Sequence, residues 1–150
     1  MADGVIFVRE AVASDRYACA GVFVESYRHA FLWEVPDEVS PQRYLDSIVG
    51  EQQWVALEGD KIIAVISMDW SENFVHSLYV LPDHHRRGAG SALIDKVLAV
   101  AHGPCELKCD RQNLAAIEFY RRTGWREVGE GISNTGPWLR FRKYRVWPNP

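Results

Sequence analysis

The spacing of apolar residues changes period several times along the chain, and each change marks a new element. "VIFVRE", Val5 to Glu10, is a short apolar run of strand length. Ser14 and Asp15 then offer an N-cap for an amphipathic helix predicted to run to about Ala30. "WEVPDEVSP" interrupts the pattern with two prolines, and Gln42 to Val49 reads as a second, shorter helix. "WVALEGDKIIAVISMDW" is two β-rich runs around Gly59-Asp60, a dipeptide that favours a tight hairpin. "NFVHSLYV" is a further strand that ends ahead of Pro82. A helix is predicted from about Gly88 to Ala101, a strand at "CELKC", and a helix from Asn113 to Arg122 stopped by Gly124. "WREVGE" and "WLRFRKYRVW" close the chain as strands. The order β-α-α-β-β-β-α-β-α-β-β places antiparallel hairpins around one βαβ unit. That implies an α/β (α+β) fold: a mixed, mostly antiparallel central sheet flanked by about four helices.

Composition narrows the class. A chain of 150 residues with 47% hydrophobic and 25% charged residues reads as one globular domain, 1–150, with no repeat and no low-complexity linker. The formal net charge of −3 argues against nucleic acid as a partner. The three cysteines, Cys19, Cys105 and Cys109, form no CxxC pair and no Cys/His cluster, so no disulfide framework and no metal are expected. "MADGVIFVRE" lacks the basic-then-apolar form of a signal peptide, and no apolar run reaches membrane-spanning length. The expectation is a reduced, cytoplasmic chain, monomeric or homodimeric, without a membrane partner.

Chemistry concentrates at "LPDHHRRGAGSALIDKVLAV". The first N–H groups of a helix have no internal acceptor, and the helix dipole adds partial positive charge there. Gly88 and Gly90 bare the backbone at that point, and Arg86 and Arg87 add formal charge. The arrangement suits a phosphate, most simply a pyrophosphate. It is not a Rossmann fingerprint, which needs glycine where Leu93 stands. Nor is it a P-loop, since Gly90 is followed by Ser91-Ala92.

"LYVLPDHHRRGAGSALI" resembles the acetyl-CoA-binding motif of the GNAT superfamily of N-acetyltransferases, a strand "LxV", a proline, then Q/R-x-x-G-x-G/A. "NLAAIEFYRRTGW", Asn113 to Trp125, resembles a second motif of that family, N-x-x-A-x-x-F-Y-x-x-x-G-F, with Trp125 at the final aromatic. One departure is His85 at the leading Gln/Arg position. The resemblance implies a fold of the acyl-CoA N-acyltransferase type and acetyl-CoA as co-substrate. Its pyrophosphate would be held by Arg86, Arg87, Gly88, Ala89, Gly90 and Ser91, and its pantetheine arm by the main chain of Leu78, Tyr79 and Val80. Asn113, Phe119 and Tyr120 would complete the cofactor site, and "CELKC" would be the strand that diverges to admit the arm. Independently, Asn113, Ala116, Ile117 and Tyr120 fall at i, i+3, i+4 and i+7 and share one helix face. An N-cap role for Asn113 and a packing role for Tyr120 are the structural alternatives.

Acyl transfer to an amine needs a neutral amine, although an alkylamine has a pKa near ~10.4, and gains from a proton donor to the departing thiolate. The resemblance makes Tyr120 the acid and gives the oxyanion a backbone N–H on the "HSLYV" strand, that of Leu78. His76 is the candidate base. It shares the face of Leu78 and Val80 by period-2 alternation, and histidine is the residue type whose charge change falls in the useful pH range. A strand histidine bonded to a neighbour is its alternative, and Asp69, Glu72 and Glu25 are the other candidate bases. The acceptor amine is expected to meet "ESYRHAFLWEVPDE", where Tyr27, Phe31 and Trp33 interleave with Glu25, Glu34, Asp37 and Glu38, and "GEGISNTGPWLRF". Arg140 and Arg142 alternate with Leu139 and Phe141 as a solvated strand face would. The expected function is transfer of acetyl from acetyl-CoA to a small-molecule primary amine. Protein N-acetylation and a non-catalytic acyl-CoA sensor are the alternatives.

Overall fold

A computed structural model describes residues 5–30, 39–85 and 87–148. Among these residues the β-branched and aromatic runs form seven strands: β1 (Ile6–Glu10), β2 (Gln52–Glu58), β3 (Lys61–Asp69), β4 (Phe74–Val80), β5 (Cys105–Asp110), β6 (Arg126–Ser133) and β7 (Gly136–Lys143). Among the described residues four α-helices separate them: α1 (Arg16–Ala30), α2 (Pro41–Ser47), α3 (Ala89–Val100) and α4 (Leu114–Arg122). The strands lie in one sheet in the order β1-β2-β3-β4-β5-β7-β6. Every neighbouring pair is antiparallel except β4 and β5, which are parallel and joined through α3. The fold expected from the sequence is the one found.

Helices cover both faces of the sheet centre, which is why Ile63 to Ile66 of β3 form an unbroken buried run instead of alternating. Gly90 of α3 approaches Leu78 and Val80 on one face. On the other, Phe23 of α1 packs its ring edge-on to Tyr79, with centroids 5.1 Å apart, and Tyr44 of α2 joins the same cluster. Successive residues of β4 therefore serve opposite layers. In the second half of the sheet, Tyr120 of α4 rests on Phe141 of β7 at 5.7 Å between ring centroids.

Two helix starts differ from the sequence reading. Neither Ser14 nor Asp15 caps α1. A 3₁₀ turn, Ala13–Asp15, comes first, and Asp15 reaches back to accept the Val12 N–H at 2.7 Å while pairing with Arg9. The second helix begins one residue early, with Ser40 as N-cap accepting from the Arg43 N–H at 3.2 Å and Pro41 in the first turn. Register is interrupted in β4: Ser77 pairs with Ser67 but Val75 pairs with Met68, so His76 is the extra residue of a β-bulge.

Candidate active site

The sheet parts at its centre. β4 and β5 share a single register pair, Phe74 with Glu106, and then diverge. The opening widens into a cleft of about 1110 Å³ lined by β4 from Val75 to Val80, by β5 from Leu107 to Asp110, by Gly88 to Ser91 and by the inner side of α4.

At one end of this cleft α3 begins without a side-chain cap. Gly88 takes a left-handed conformation, φ 86°, that a β-carbon would strain, and its carbonyl accepts the first helical bond, from the Ala92 N–H at 2.9 Å. The N–H groups of Ala89, Gly90 and Ser91 precede that bond and have no acceptor within the helix. The two glycines serve different ends. Around Gly88 there is open space, whereas a β-carbon on Gly90 would stand 3.3 Å from Phe119 Cζ. Gly90 thus lets the helix start close against α4 and β4. Arg86 lies outside the described residues. Arg87 is absent from the cleft lining and donates to both Glu58 oxygens, at 2.9 and 3.0 Å, so its charge is engaged at the end of β2. His85, at the position of the family's Gln/Arg, donates from Nε2 to the Val80 carbonyl at 3.2 Å and ties the loop to β4.

α4 contributes from the opposite wall. Asn113 lines the cleft and is also the N-cap of α4, its Oδ1 accepting the Ala116 N–H at 3.2 Å. Its side-chain nitrogen is then the group free to meet a ligand. Tyr120 is buried between the rings of Phe119, Trp125 and Phe141, yet its hydroxyl reaches the cleft and bonds to no described residue. Burial pushes this phenol well above its ordinary pKa, with smaller contributions from Cys109 and Tyr79, so it keeps its proton.

His76 lines the cleft from β4, but not as strict alternation predicts. The bulge turns its ring away from the face of Leu78 and Val80 and toward the α1–α2 layer, where Nδ1 lies 2.9 Å from Glu51 Oε1. Of the other candidate bases, Glu25 is exposed on α1, and Asp69 holds the β3–β4 turn through Ser71. Neither these two nor Glu72 is among the residues lining the cleft. Ser26, Tyr27 and His29 of α1 also face the cleft. Arg43 donates to the Tyr27 hydroxyl at 3.0 Å and lies 4.7 Å from its ring centroid. Phe31, Trp33, Glu34, Asp37 and Glu38 lie outside the described residues. Arg140 and Arg142 alternate with the buried Leu139 and Phe141 and stay partly exposed, as expected, and both also donate to Glu106, at 2.5 and 2.7 Å, beside the one β4–β5 pair. Glu51 and Ser67 carried no signal in the sequence, and each matters through a partner that only the tertiary arrangement supplies.

Among the described residues no group of three or more His, Cys, Asp or Glu is placed to hold a metal, and no helix is long and apolar enough to cross a membrane. The open amides at the start of α3, the unpaired edge of β4 and the uncapped phenol fit a long ligand with a diphosphate at one end and an acyl thioester at the other. A mixed sheet split between its two parallel strands, with a bare helix N-terminus at the split, defines an acyl-CoA N-acyltransferase fold.

The sequence comparison agrees. The chain belongs to the acetyltransferase (GNAT) family, whose model matches residues 20–125. A relative from Methanocaldococcus jannaschii, described as an uncharacterized N-acetyltransferase, is 39% identical over 75 residues, covering 46% of this chain and 30% of the relative. The chain thus spans under a third of that relative's length. Among solved structures, the apo form of YjaB from Escherichia coli superposes with a TM-score of 0.77 at 18% identity, over 92% of this chain and 97% of the other. The PaiA N-acetyltransferase from Thermoplasma acidophilum, solved with coenzyme A, gives 0.74 at 18% identity, over 93% and 99%.

Proposed function

We propose that the chain transfers an acetyl group from acetyl-CoA directly to the primary amine of a small-molecule acceptor. The observation that carries the reading is one cleft, opened by the parting of β4 and β5, that holds the three unbonded amides of α3, the Tyr120 phenol and the His76 imidazole. When bound, acetyl-CoA supplies an acyl carbon already activated as a thioester. Gly88, Ala89, Gly90 and Ser91 receive the diphosphate, and the helix dipole favours its charge. The main chain of Leu78, Tyr79 and Val80 aligns the amide arm as a strand would, with Asn113 and Phe119 on the opposite wall. His76 takes a proton from the acceptor amine, the Leu78 N–H meets the developing oxyanion, and Tyr120 donates a hydrogen bond to the departing sulfur. The phenol is suited to this because burial keeps it protonated, and the sulfur's charge would be costly in the same apolar wall. A compact acceptor is favoured by Ser26, Tyr27 and His29, which bound that end of the cleft, with Tyr27 held by Arg43.

The test is release of free thiol from acetyl-CoA against a panel of small amines, polyamines, amino-acid amides and peptides. Turnover confined to small amines is expected. Turnover only with peptides would replace the acceptor class, and cofactor binding without turnover on any amine would make the chain a sensor.

A further inference from the structure

We propose that Glu51 is a positioning residue that fixes the tautomer and orientation of His76, so that Nε2 is the ring nitrogen offered to the acceptor. This rests on His76 acting as the base.

The argument begins with hydrogen-bond capacity. A carboxylate can only accept, so the contact between Glu51 and His76 requires the hydrogen on Nδ1. Nδ1 lies 2.9 Å from Oε1 and 2.8 Å from Oε2 of Glu51, held between the two oxygens. In the neutral ring Nε2 then carries the lone pair, the state a base needs. Glu51 is itself held from behind. The Ser67 hydroxyl donates to its Oε1 at 2.6 Å, and Gln53 Nε2 donates to Ser67 Oγ at 2.9 Å. Ser67 is fully buried and the Glu51 side chain only 14% exposed. A chain of bonds therefore runs from the sheet interior through Glu51 to an imidazole that is 44% exposed and lines the cleft.

Stability does not account for this arrangement. A half-exposed histidine pair contributes little to stability, yet here a bulge and a buried polar relay are committed to it. The bulge is what makes the contact. With regular alternation the ring would follow Leu78 and Val80 toward α3; with one extra residue it reaches Glu51 instead. Other titratable or charged groups line the same cleft: Tyr27 and His29 from α1, Tyr79 from β4, His84 and His85 from the loop before α3, Lys108, Cys109 and Asp110 from β5, and Glu118, Tyr120 and Arg122 from α4. Among the described residues, only Glu51 bonds to His76.

Glu51→Gln is the discriminating change. It preserves shape, but its amide can donate to Nδ1 and so favours the tautomer with hydrogen on Nε2, which cannot accept a proton. The expected result is a fall in kcat of about 10- to 100-fold at neutral pH, with KM for acetyl-CoA unchanged and recovery as pH approaches the pKa of the acceptor amine. NMR of ¹⁵N-histidine-labelled protein should show His76 with its proton on Nδ1, and a growing Nε2–H population in the variant. Glu51→Asp, which keeps the charge, should retain more activity than Glu51→Gln. In the His76→Ala background, Glu51→Gln should cause no further loss. Multiplying losses would mean that Glu51 acts independently of His76 and would overturn the proposal. So would wild-type kcat in Glu51→Gln while His76→Ala is slow, with the base reading left standing. Wild-type rates in His76→Ala at every pH would instead remove the base reading, and this proposal with it.

Discussion

Replacing Tyr120 with phenylalanine separates chemistry from packing. The ring lies 5.4 Å from Phe119 and 5.7 Å from both Trp125 and Phe141, centroid to centroid, and the substitution leaves all three contacts in place. Only the hydroxyl goes, and it bonds to no described residue, so its removal orphans no partner. The melting temperature should hold, because the ring contacts stay and no protein hydrogen bond is lost. If Tyr120 donates to the departing sulfur, kcat and kcat/KM should fall together by ~100- to 10,000-fold, about 2.7 to 5.5 kcal/mol on the barrier. The pH dependence adds a second constraint. Burial raises the phenol's pKa, so it stays protonated across the assay range, and the loss should be the same from roughly pH 6 to 9. Thiol-release kinetics at several pH values, calorimetry with acetyl-CoA and a melting curve complete the measurement. A kcat within twofold of wild type, with the melting temperature unchanged, would reduce Tyr120 to a packing residue.

Gly88→Asp and Gly88→Asn are nearly isosteric, and both residues tolerate the left-handed conformation at this open position. Acetyl-CoA affinity should fall at least about 10-fold, or 1.4 kcal/mol, in the aspartate variant relative to the asparagine one. Equal affinities by calorimetry would remove the α3 amides from the phosphate site. Around Glu106, burial raises the carboxyl pKa, but the hydrogen bonds and charge of Arg140 and Arg142 outweigh it, and the net shift is downward. A depressed folded-state pKa stabilises above the unfolded carboxylate range, near ~4.3, and that contribution is lost as pH falls through the lower folded value. Denaturant titrations should show this acid loss in wild type and a smaller one in Glu106→Gln; identical slopes would refute it. Burial raises Cys19 and Cys105 to about 11 and Cys109 to about 12. Thiol reagents should therefore leave the folded protein unmodified near neutral pH and label all three cysteines after denaturation. Rapid labelling of the native chain would contradict that burial.

The element order, the glycine loop and the second-motif helix were legible because each is written locally, as periodicity, turn residues and caps. The parting of β4 from β5 followed from the family resemblance, and the single Phe74–Glu106 pair gives it a physical form. What stayed hidden depends on distant partners. No local signal says that Arg87 will find Glu58, or that one carboxylate, Glu106, will hold two arginines from β7. The orientation of His76 failed for a sharper reason. Period-2 alternation assumes regular pairing, and one inserted residue sends the side chain to the other layer.

The single pair between β4 and β5 makes this sheet two leaves bound along one corner. Four antiparallel strands form one leaf and three the other, and the corner is fastened by the Glu106 N–H donating to the Asn73 carbonyl at 3.1 Å and by Arg140, one of the two arginines on Glu106, whose guanidinium carbon lies 5.4 Å from the Phe74 ring centroid. Away from that corner the leaves meet through helices, where Gly90 of α3 lies against Phe119 of α4. On the proposed function, a co-substrate bonding to both leaves would be a removable eighth strand. By mass action it would contribute about 2.7 kcal/mol at a hundred times its dissociation constant. The persistence of the folded chain under heat or proteolysis would then be tied to the supply of acetyl-CoA, so that scarcity of the donor would thin out the protein itself as well as slow its turnover.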